Sequence, residues 1–365
     1  MSCLLARRGA SSLAAPATAL LARACPPAWG LCRAFKTLPI IDVGPLMAPG
    51  ASLDDKLKVG RELDDACSRV GFFYAVNHGL KEEVLDGVRD RAREWFALPL
   101  ERKREILLSP KTVYRGFQEL GENVTRYEGG FQRDHHEAID LYKEAAPSGH
   151  EPRDLRAPNP WPTQVPGFRS ALDEYVDEMS RLGAGIMRGI GLGLGVGERY
   201  FEGPHRAGAE DSYWCIRVIH YPPLPKLPEV GDGREISRAE QLSCGEHTDY
   251  GLLTVVNQDS GMTALQVKNA AGEWVDAAPV EGALVCNVGD MLKVWTNGRY
   301  MPTLHRVIHN STGRGRISVP FFFEPCYDTV VAPLEGLGGA PSFPPVRYAD
   351  HLKSKVYSNF ENDRE

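Results

Sequence analysis

The sequence predicts an α+β protein with a mainly β core and a helical N-terminal region packed on it. Three observations carry that expectation. Helix-period apolar patterns fall in the first half of the chain. From Tyr213 onward the pattern changes to short β-rich runs separated by turn residues. Those runs follow one another at near-regular spacing without crossover helices, which favours a sandwich or barrel over βαβ units.

The first element is a short strand at 38–43, built on Leu38, Ile40, Ile41 and Val43. Leu53, Leu57, Leu63, Ala66, Cys67 and Val70 then recur at helical spacing, and Gly71 closes that helix. Phe72-Phe73-Tyr74-Ala75-Val76 has the aromatic and β-branched make-up of a buried strand. A second helix is expected at 81–96, ending at Leu98-Pro99. Residues 108–165 read as irregular, because Gly, Pro and charge dominate and Pro158-Asn159-Pro160-Trp161-Pro162 breaks regular structure. A long helix follows at 167–189, with Phe168, Leu172, Tyr175, Met179, Leu182 and Ile186 on one stripe. Strands are expected at 214–221, 252–256, 264–267, 273–277, 283–287, 303–309 and 316–324. Gly261, Gly272, Gly289-Asp290 and Asn297-Gly298 supply turns among them.

The 365 residues, 42% apolar and 25% charged, have material for a sizeable core, which excludes a disordered or fibrous chain. Arg7, Arg8, Arg23, Arg33 and Lys36 precede the first acid, Asp42. Those five cations leave the rest of the chain at −11 against a net −6 overall. An acidic body argues against nucleic acid or an anionic membrane as partner. No apolar run is long enough to span a bilayer. The Ala-, Arg-, Ser- and Leu-rich start predicts an organellar transit peptide over 1–37, mitochondrial first, with a plastid address or a disordered leader on a cytoplasmic protein as alternatives. Cys67, Cys215, Cys244, Cys286 and Cys326 lie beyond the leader and form no CxxC pair, so a disulfide framework and a zinc ribbon are both disfavoured. The expected organisation is the leader, a helix-rich region at 38–200, a β-barrel domain at 210–330, and a C-terminal segment at 331–365 with a terminal helix.

His247 and Asp249, in His247-Thr248-Asp249, and His305 stand out as candidate metal ligands. Residues two apart on a strand share a face, so the first two can reach one ion. A histidine from a later strand completes one face of an octahedron, leaving three positions open as non-haem Fe(II) requires for dioxygen. Each residue alone is unspecific. His309 competes as an i,i+4 partner of His305 on a helix, but the β-branched Val307-Ile308 between them favours a strand. Arg316-Ile317-Ser318 adds a guanidinium fork and a hydroxyl at strand period, a clamp for a carboxylate. Its flanks Ile317, Val319, Phe321, Phe322 and Phe323 are apolar, and a buried Arg requires an anion. The alternative is an ordinary surface Arg.

Taken together these residues resemble the isopenicillin-N-synthase-like branch of the Fe(II)/2-oxoglutarate-dependent oxygenases, over residues 38 to about 360. The resemblance runs through His247-Thr248-Asp249-Tyr250-Gly251-Leu252-Leu253-Thr254, Gly289-Asp290-Met291, His305-Arg306-Val307 and Arg316-Ile317-Ser318 to Phe321-Phe322-Phe323-Glu324-Pro325. Gly71-Phe72-Phe73, Asn77-His78-Gly79 and Tyr114-Arg115-Gly116 extend it toward the N-terminus. It implies a double-stranded β-helix, or jelly-roll, barrel with iron held by His247, Asp249 and His305. It also implies Arg316 and Ser318 on the distal carboxylate of 2-oxoglutarate, assisted by Tyr221. Many members carry Asn two residues before that Tyr; here the residue is Ile219, so one polar contact to the co-substrate is missing or replaced.

The implied activity is dioxygenation of a small organic metabolite, with O2 consumed and succinate and CO2 released. Two alternatives stay open: a same-fold iron oxidase that does not use 2-oxoglutarate, and a non-catalytic metal- or small-molecule-binding module. A monomer is expected. The substrate pocket should be lined by residues about 110–145 and by side chains near Arg217 and Phe323. His78 reads as a turn histidine and His135-His136 as surface residues. Arg217 faces either the barrel interior or solvent.

Overall fold

The computed structural model describes residues 35–127, 130–146, 149, 154–203, 212–223, 242–309, 312–337 and 339–360. The expected leader therefore lies almost wholly outside the described residues. In chain order the first elements are β1 (Ile40–Asp42), α1 (Gly44–Met47), α2 (Leu53–Arg69), β2 (Phe72–Val76), α3 (Glu82–Phe96) and α4 (Leu100–Lys103). Next come β3 (Gly116–Gln118), β4 (Val124–Tyr127), β5 (Gly130–Arg133), β6 (Glu137–Tyr142) and the long α5 (Phe168–Gly193). The C-terminal half holds β7 (Trp214–Tyr221), β8 (Leu242–His247), β9 (Leu253–Gln258), β10 (Leu265–Lys268), β11 (Trp274–Asp276) and β12 (Ala283–Val288). After α6 (Asp290–Trp295) follow β13 (His305–Ile308), β14 (Arg316–Phe323), β15 (Val330–Val331), β16 (Val346–Arg347) and α7 (Tyr348–Phe360).

An eight-stranded sheet in the order β1-β2-β12-β9-β14-β7-β6-β3 faces a four-stranded sheet, β11-β10-β13-β8. Both are antiparallel except for the parallel β1–β2 pair. This is the jelly-roll core expected from the sequence, with one difference. The N-terminal region supplies β1, β2, β3 and β6 to the larger sheet, and 108–165, expected to be irregular, contains β3 to β6. Those strands are three to six residues long, too short for a clear period-2 signal, and tertiary pairing decides them.

β14 shows how one strand serves core and site together. Ile317, Val319, Phe321 and Phe323 join the main hydrophobic core, while Arg316, Ser318, Pro320 and Phe322 line a cavity between the sheets. On the core side α5 packs closely: Tyr175 Oη donates to the Val319 carbonyl at 2.7 Å, and a Cβ on Gly183 would sit 2.5 Å from the Phe323 ring. Glycine is required at that crossing because no side chain fits. Where α2 meets α5, a Cβ on Gly193 would lie 2.3 Å from the Gly60 carbonyl, so the backbones touch directly. Among the described residues no helix is long and apolar enough to cross a membrane.

Candidate active site

His247 is the last residue of β8 and His305 the first of β13, and the two are register partners across those strands. The pairing brings their rings to 4.2 Å between centroids. Asp249 lies beyond the end of β8, so it does not share a strand face with His247 as expected. A turn delivers it instead, fixed by the Asp290 amide donating to the Asp249 carbonyl at 2.9 Å. The outcome is the expected cluster: ligand atoms of all three residues lie within 4.8 Å of one another. β8 is itself an element that the sequence did not reveal, since Ser243, Gly245 and Glu246 are poor strand formers.

Each candidate ligand is oriented by a second hydrogen bond. His247 Nδ1 lies 2.8 Å from the Gly245 carbonyl and His305 Nδ1 lies 3.1 Å from the Thr303 carbonyl. A carbonyl only accepts, so both Nδ1 atoms carry the proton and both Nε2 lone pairs are left for a metal. Asp249 divides its oxygens in the same way. Oδ2 accepts from Asn287 Nδ2 at 2.7 Å and from Thr254 Oγ1, while Oδ1 faces His247 Nε2 at 3.8 Å and His305 Nε2 at 3.7 Å. Burial opposes the Asp249 charge, but His305, His247 and the two hydrogen bonds outweigh it and hold its pKa below the usual carboxylate value. Burial and the neighbouring His247 push His305 down to about 4, so it is neutral and available as a donor at physiological pH. This donor set fits a divalent iron ion.

Arg316 is 2% exposed, and its Nη2 donates to Gln258 Oε1. Its Nε and Nη1 have no hydrogen-bond partner. Two orphaned guanidinium donors beside buried Ser318 and Tyr221, on the wall of the cavity that holds the triad, fit an incoming carboxylate. Arg316 and Tyr221 are register partners on β14 and β7, and the guanidinium lies 5.0 Å from the Tyr221 ring centroid. Ile219 pairs with Ser318 and is buried on the same wall.

The cavity, about 190 Å³, also takes His136, Asp140 and Tyr142 from the middle of the chain. His136 is 2% exposed, not a surface residue as expected; β6 begins at the next position and carries it inward. Its Nδ1 lies 2.9 Å from the Ser243 carbonyl, and burial pushes its pKa down to about 3. Arg217 faces the cavity, as does Phe322, the neighbour of Phe323, whose own ring points into the core. Helix α7, whose role the sequence did not show, contributes Leu352, Val356 and Asn359, and Asn359 Nδ2 donates to Tyr250 Oη at 2.8 Å. His309 stands apart from the triad, with Nδ1 3.3 Å from Ser243 Oγ. His78 is the expected turn histidine: its Nδ1 accepts from the Leu80 amide at 3.2 Å. The five cysteines among the described residues are all free.

Residues 38–164 match the family described as non-haem dioxygenase in morphine synthesis N-terminal, and residues 213–325 match the 2OG-Fe(II) oxygenase superfamily. A homoarginine-6-hydroxylase of Oryza sativa subsp. japonica is 42% identical over 337 residues, covering 89% of this chain and 98% of that protein. Among solved structures, JOX2 in complex with 2OG, Fe and JA superposes with a TM-score of 0.70 at 29% identity, covering 88% of this chain and 89% of that one. A full-length Neurospora crassa protein in complex with alpha-KG and 5-formyluracil gives 0.73 at 25% identity, covering 88% and 96%. The chain belongs to the 2OG-Fe(II) oxygenase superfamily and is an Fe(II)- and 2-oxoglutarate-dependent dioxygenase that oxidises a small organic molecule and releases succinate and CO2.

Proposed function

We propose that this dioxygenase hydroxylates a small basic amino acid, with His247, Asp249 and His305 binding iron and Arg316, Ser318 and Tyr221 holding 2-oxoglutarate. The observation that carries the site assignment is the pair of unpartnered Arg316 donors in the same cavity as the triad. Support for the substrate class comes from the homoarginine-6-hydroxylases, which are 42% identical to this chain across 98% of their length. Iron with its co-substrate and O2 supplies the oxidising power for a C–H bond. The protein's share is positioning. Asn287 and Thr254 orient Asp249, Arg316 pairs with the co-substrate carboxylate, and the apolar faces of Ile219, Phe322, Leu352 and Val356 limit water.

Turnover of L-homoarginine, L-arginine and L-lysine, followed by succinate and hydroxylated product together, tests the substrate. One succinate per product with at least one of them is expected. Succinate without any hydroxylated amino acid would overturn the substrate class and leave the dioxygenase standing.

We further propose a monomer addressed to mitochondria. The acid-free, Arg-containing start has the composition of an import sequence, which supports the address. A reporter fused behind residues 1–37 that stays cytosolic would contradict the address, and a dimer mass in solution would contradict the monomer.

A further inference from the structure

The cavity that holds the candidate iron ligands also carries a second polar cluster, to which neither iron nor 2-oxoglutarate has been assigned. Arg217 on β7 and Asp140 on β6 are register partners, and both line the cavity. Arg217 Nε lies 3.3 Å from Asp140 Oδ1. Arg217 Nη2 is tied to Gln118 and to Asn123 Oδ1, the latter at 3.1 Å, which fixes the plane of the guanidinium. Among the described residues no side chain donates a hydrogen bond to the Asp140 carboxylate, and Arg217 Nε, although beside it, has no hydrogen-bond partner.

An ion pair at this depth costs desolvation energy that Coulomb attraction alone does not return unless the remaining donors and acceptors are satisfied. Asp140 is 6% exposed, and burial raises its pKa against the pull of Arg217. The arrangement is a cation and an anion side by side, each with unused capacity toward the cavity. Around them the wall is apolar, with Ile216, Ile219, Pro320, Phe322 and Leu352. Arg217 lies two residues from Ile219, about 7 Å along the strand. A ligand that complements this surface has adjacent negative and positive groups at one end and an aliphatic stem running toward the 2-oxoglutarate clamp.

We propose that Arg217 and Asp140 are the specificity subsite for the head of an amino-acid substrate. The guanidinium takes the α-carboxylate and the Asp140 carboxylate takes the α-ammonium. This rests on the basic amino acid reading above, and it adds which residues recognise the substrate and by which groups.

The test pairs two variants with two substrate analogues. L-Homoarginine is compared with its decarboxylated amine, which lacks the α-carboxylate, and with its deaminated acid, which lacks the α-ammonium. Affinities are read by calorimetry on the full chain loaded with Mn(II) and 2-oxoglutarate under nitrogen, and kcat/KM is read with Fe(II) in air. Arg217→Gln is expected to weaken L-homoarginine by about 30-fold or more and the decarboxylated amine by less than about 3-fold. Asp140→Asn should show the same contrast between L-homoarginine and the deaminated acid. An unchanged 2-oxoglutarate affinity establishes that each variant is folded, and Arg217→Lys serves where Arg217→Gln is not. Equal losses for the amino acid and its truncated analogue would overturn the proposal and leave the pair a structural tie.

If the wild-type chain binds no basic amino acid, the substrate reading fails, and the variants are then read against zwitterionic amino acids with apolar side chains. Binding of any of these, lost in Arg217→Gln, supports the subsite. Binding of none overturns it.

Discussion

The Asp134 carboxylate accepts a hydrogen bond from the Gly245 amide at 3.0 Å, and the carbonyl of Gly245 lies 2.8 Å from His247 Nδ1. A fully buried carboxylate is thus connected through one residue to a candidate iron ligand. Thr125 Oγ1 also donates to Asp134, at 2.9 Å, and a Cβ on Gly245 would sit 2.4 Å from the Thr125 methyl. The β4–β5 hairpin therefore clamps β8 where it presents His247.

Asp134→Asn keeps the shape but weakens the acceptor for the Gly245 amide, and should loosen His247. Fe(II) affinity is expected to fall about 10-fold or more. An anaerobic Fe(II) titration of the variant reads this directly. Affinity within twofold of wild type would mean that Asp134 serves the hairpin alone.

Arg316→Lys keeps the positive charge and loses the two-pronged geometry. The Michaelis constant for 2-oxoglutarate should rise about 10-fold or more, equivalent to about 1.4 kcal/mol. Steady-state kinetics at saturating amino acid reads it. An unchanged constant would show that Arg316 does not hold the co-substrate.

The metal-free protein should be most stable near pH 6.5. Burial pushes His136 down to about 3, and burial with the nearby Lys355 pushes His351 down to about 4, against 6.5 unfolded. Below pH 6.5 the unfolded chain takes up protons that these folded histidines refuse. Each therefore costs on the order of 1.4 kcal/mol per pH unit until its folded pKa is reached. Glu324 has the opposite sign: burial raises it to about 8 from 4.5, so its contribution is complete at low pH and is lost as pH rises through 8. Denaturant midpoints from pH 4 to 8 should fall on both sides of the maximum, and Glu324→Gln should flatten the alkaline side. A Glu324→Gln profile identical to wild type would remove Glu324 from this account.

The parts of the fold that the sequence made legible are those where the pattern is strong and local. β7 was expected at 214–221 and is Trp214–Tyr221, because WCIRVIHY is β-rich and bounded by breakers. Helix α5 follows its apolar stripe, extending four residues past the expected end, to Gly193. The candidate iron site was legible by residue type more than by geometry. Asp249 reaches it through a turn, and β8 is held by pairing with β13, which no local pattern of Leu242–His247 shows. Pro320 in the middle of β14, between β9 and β7, would by itself argue against a central strand. The Arg217–Asp140 pair is half visible in the sequence: Arg217 sits on a legible strand, but Asp140 lies 77 positions earlier, in a stretch without a clear periodic pattern. Side chains joined only by tertiary pairing leave no periodic trace.

The assignment of His247, Asp249 and His305 to iron is tested most directly by metal content. Wild type and Asp249→Ala are each equilibrated anaerobically with Fe(II) and 2-oxoglutarate, desalted and assayed for iron per chain, with circular dichroism as the check on folding. The account predicts one iron per wild-type chain and almost none in a folded Asp249→Ala variant, with succinate formation lost in parallel. A folded variant that retains stoichiometric iron and full succinate formation would contradict it.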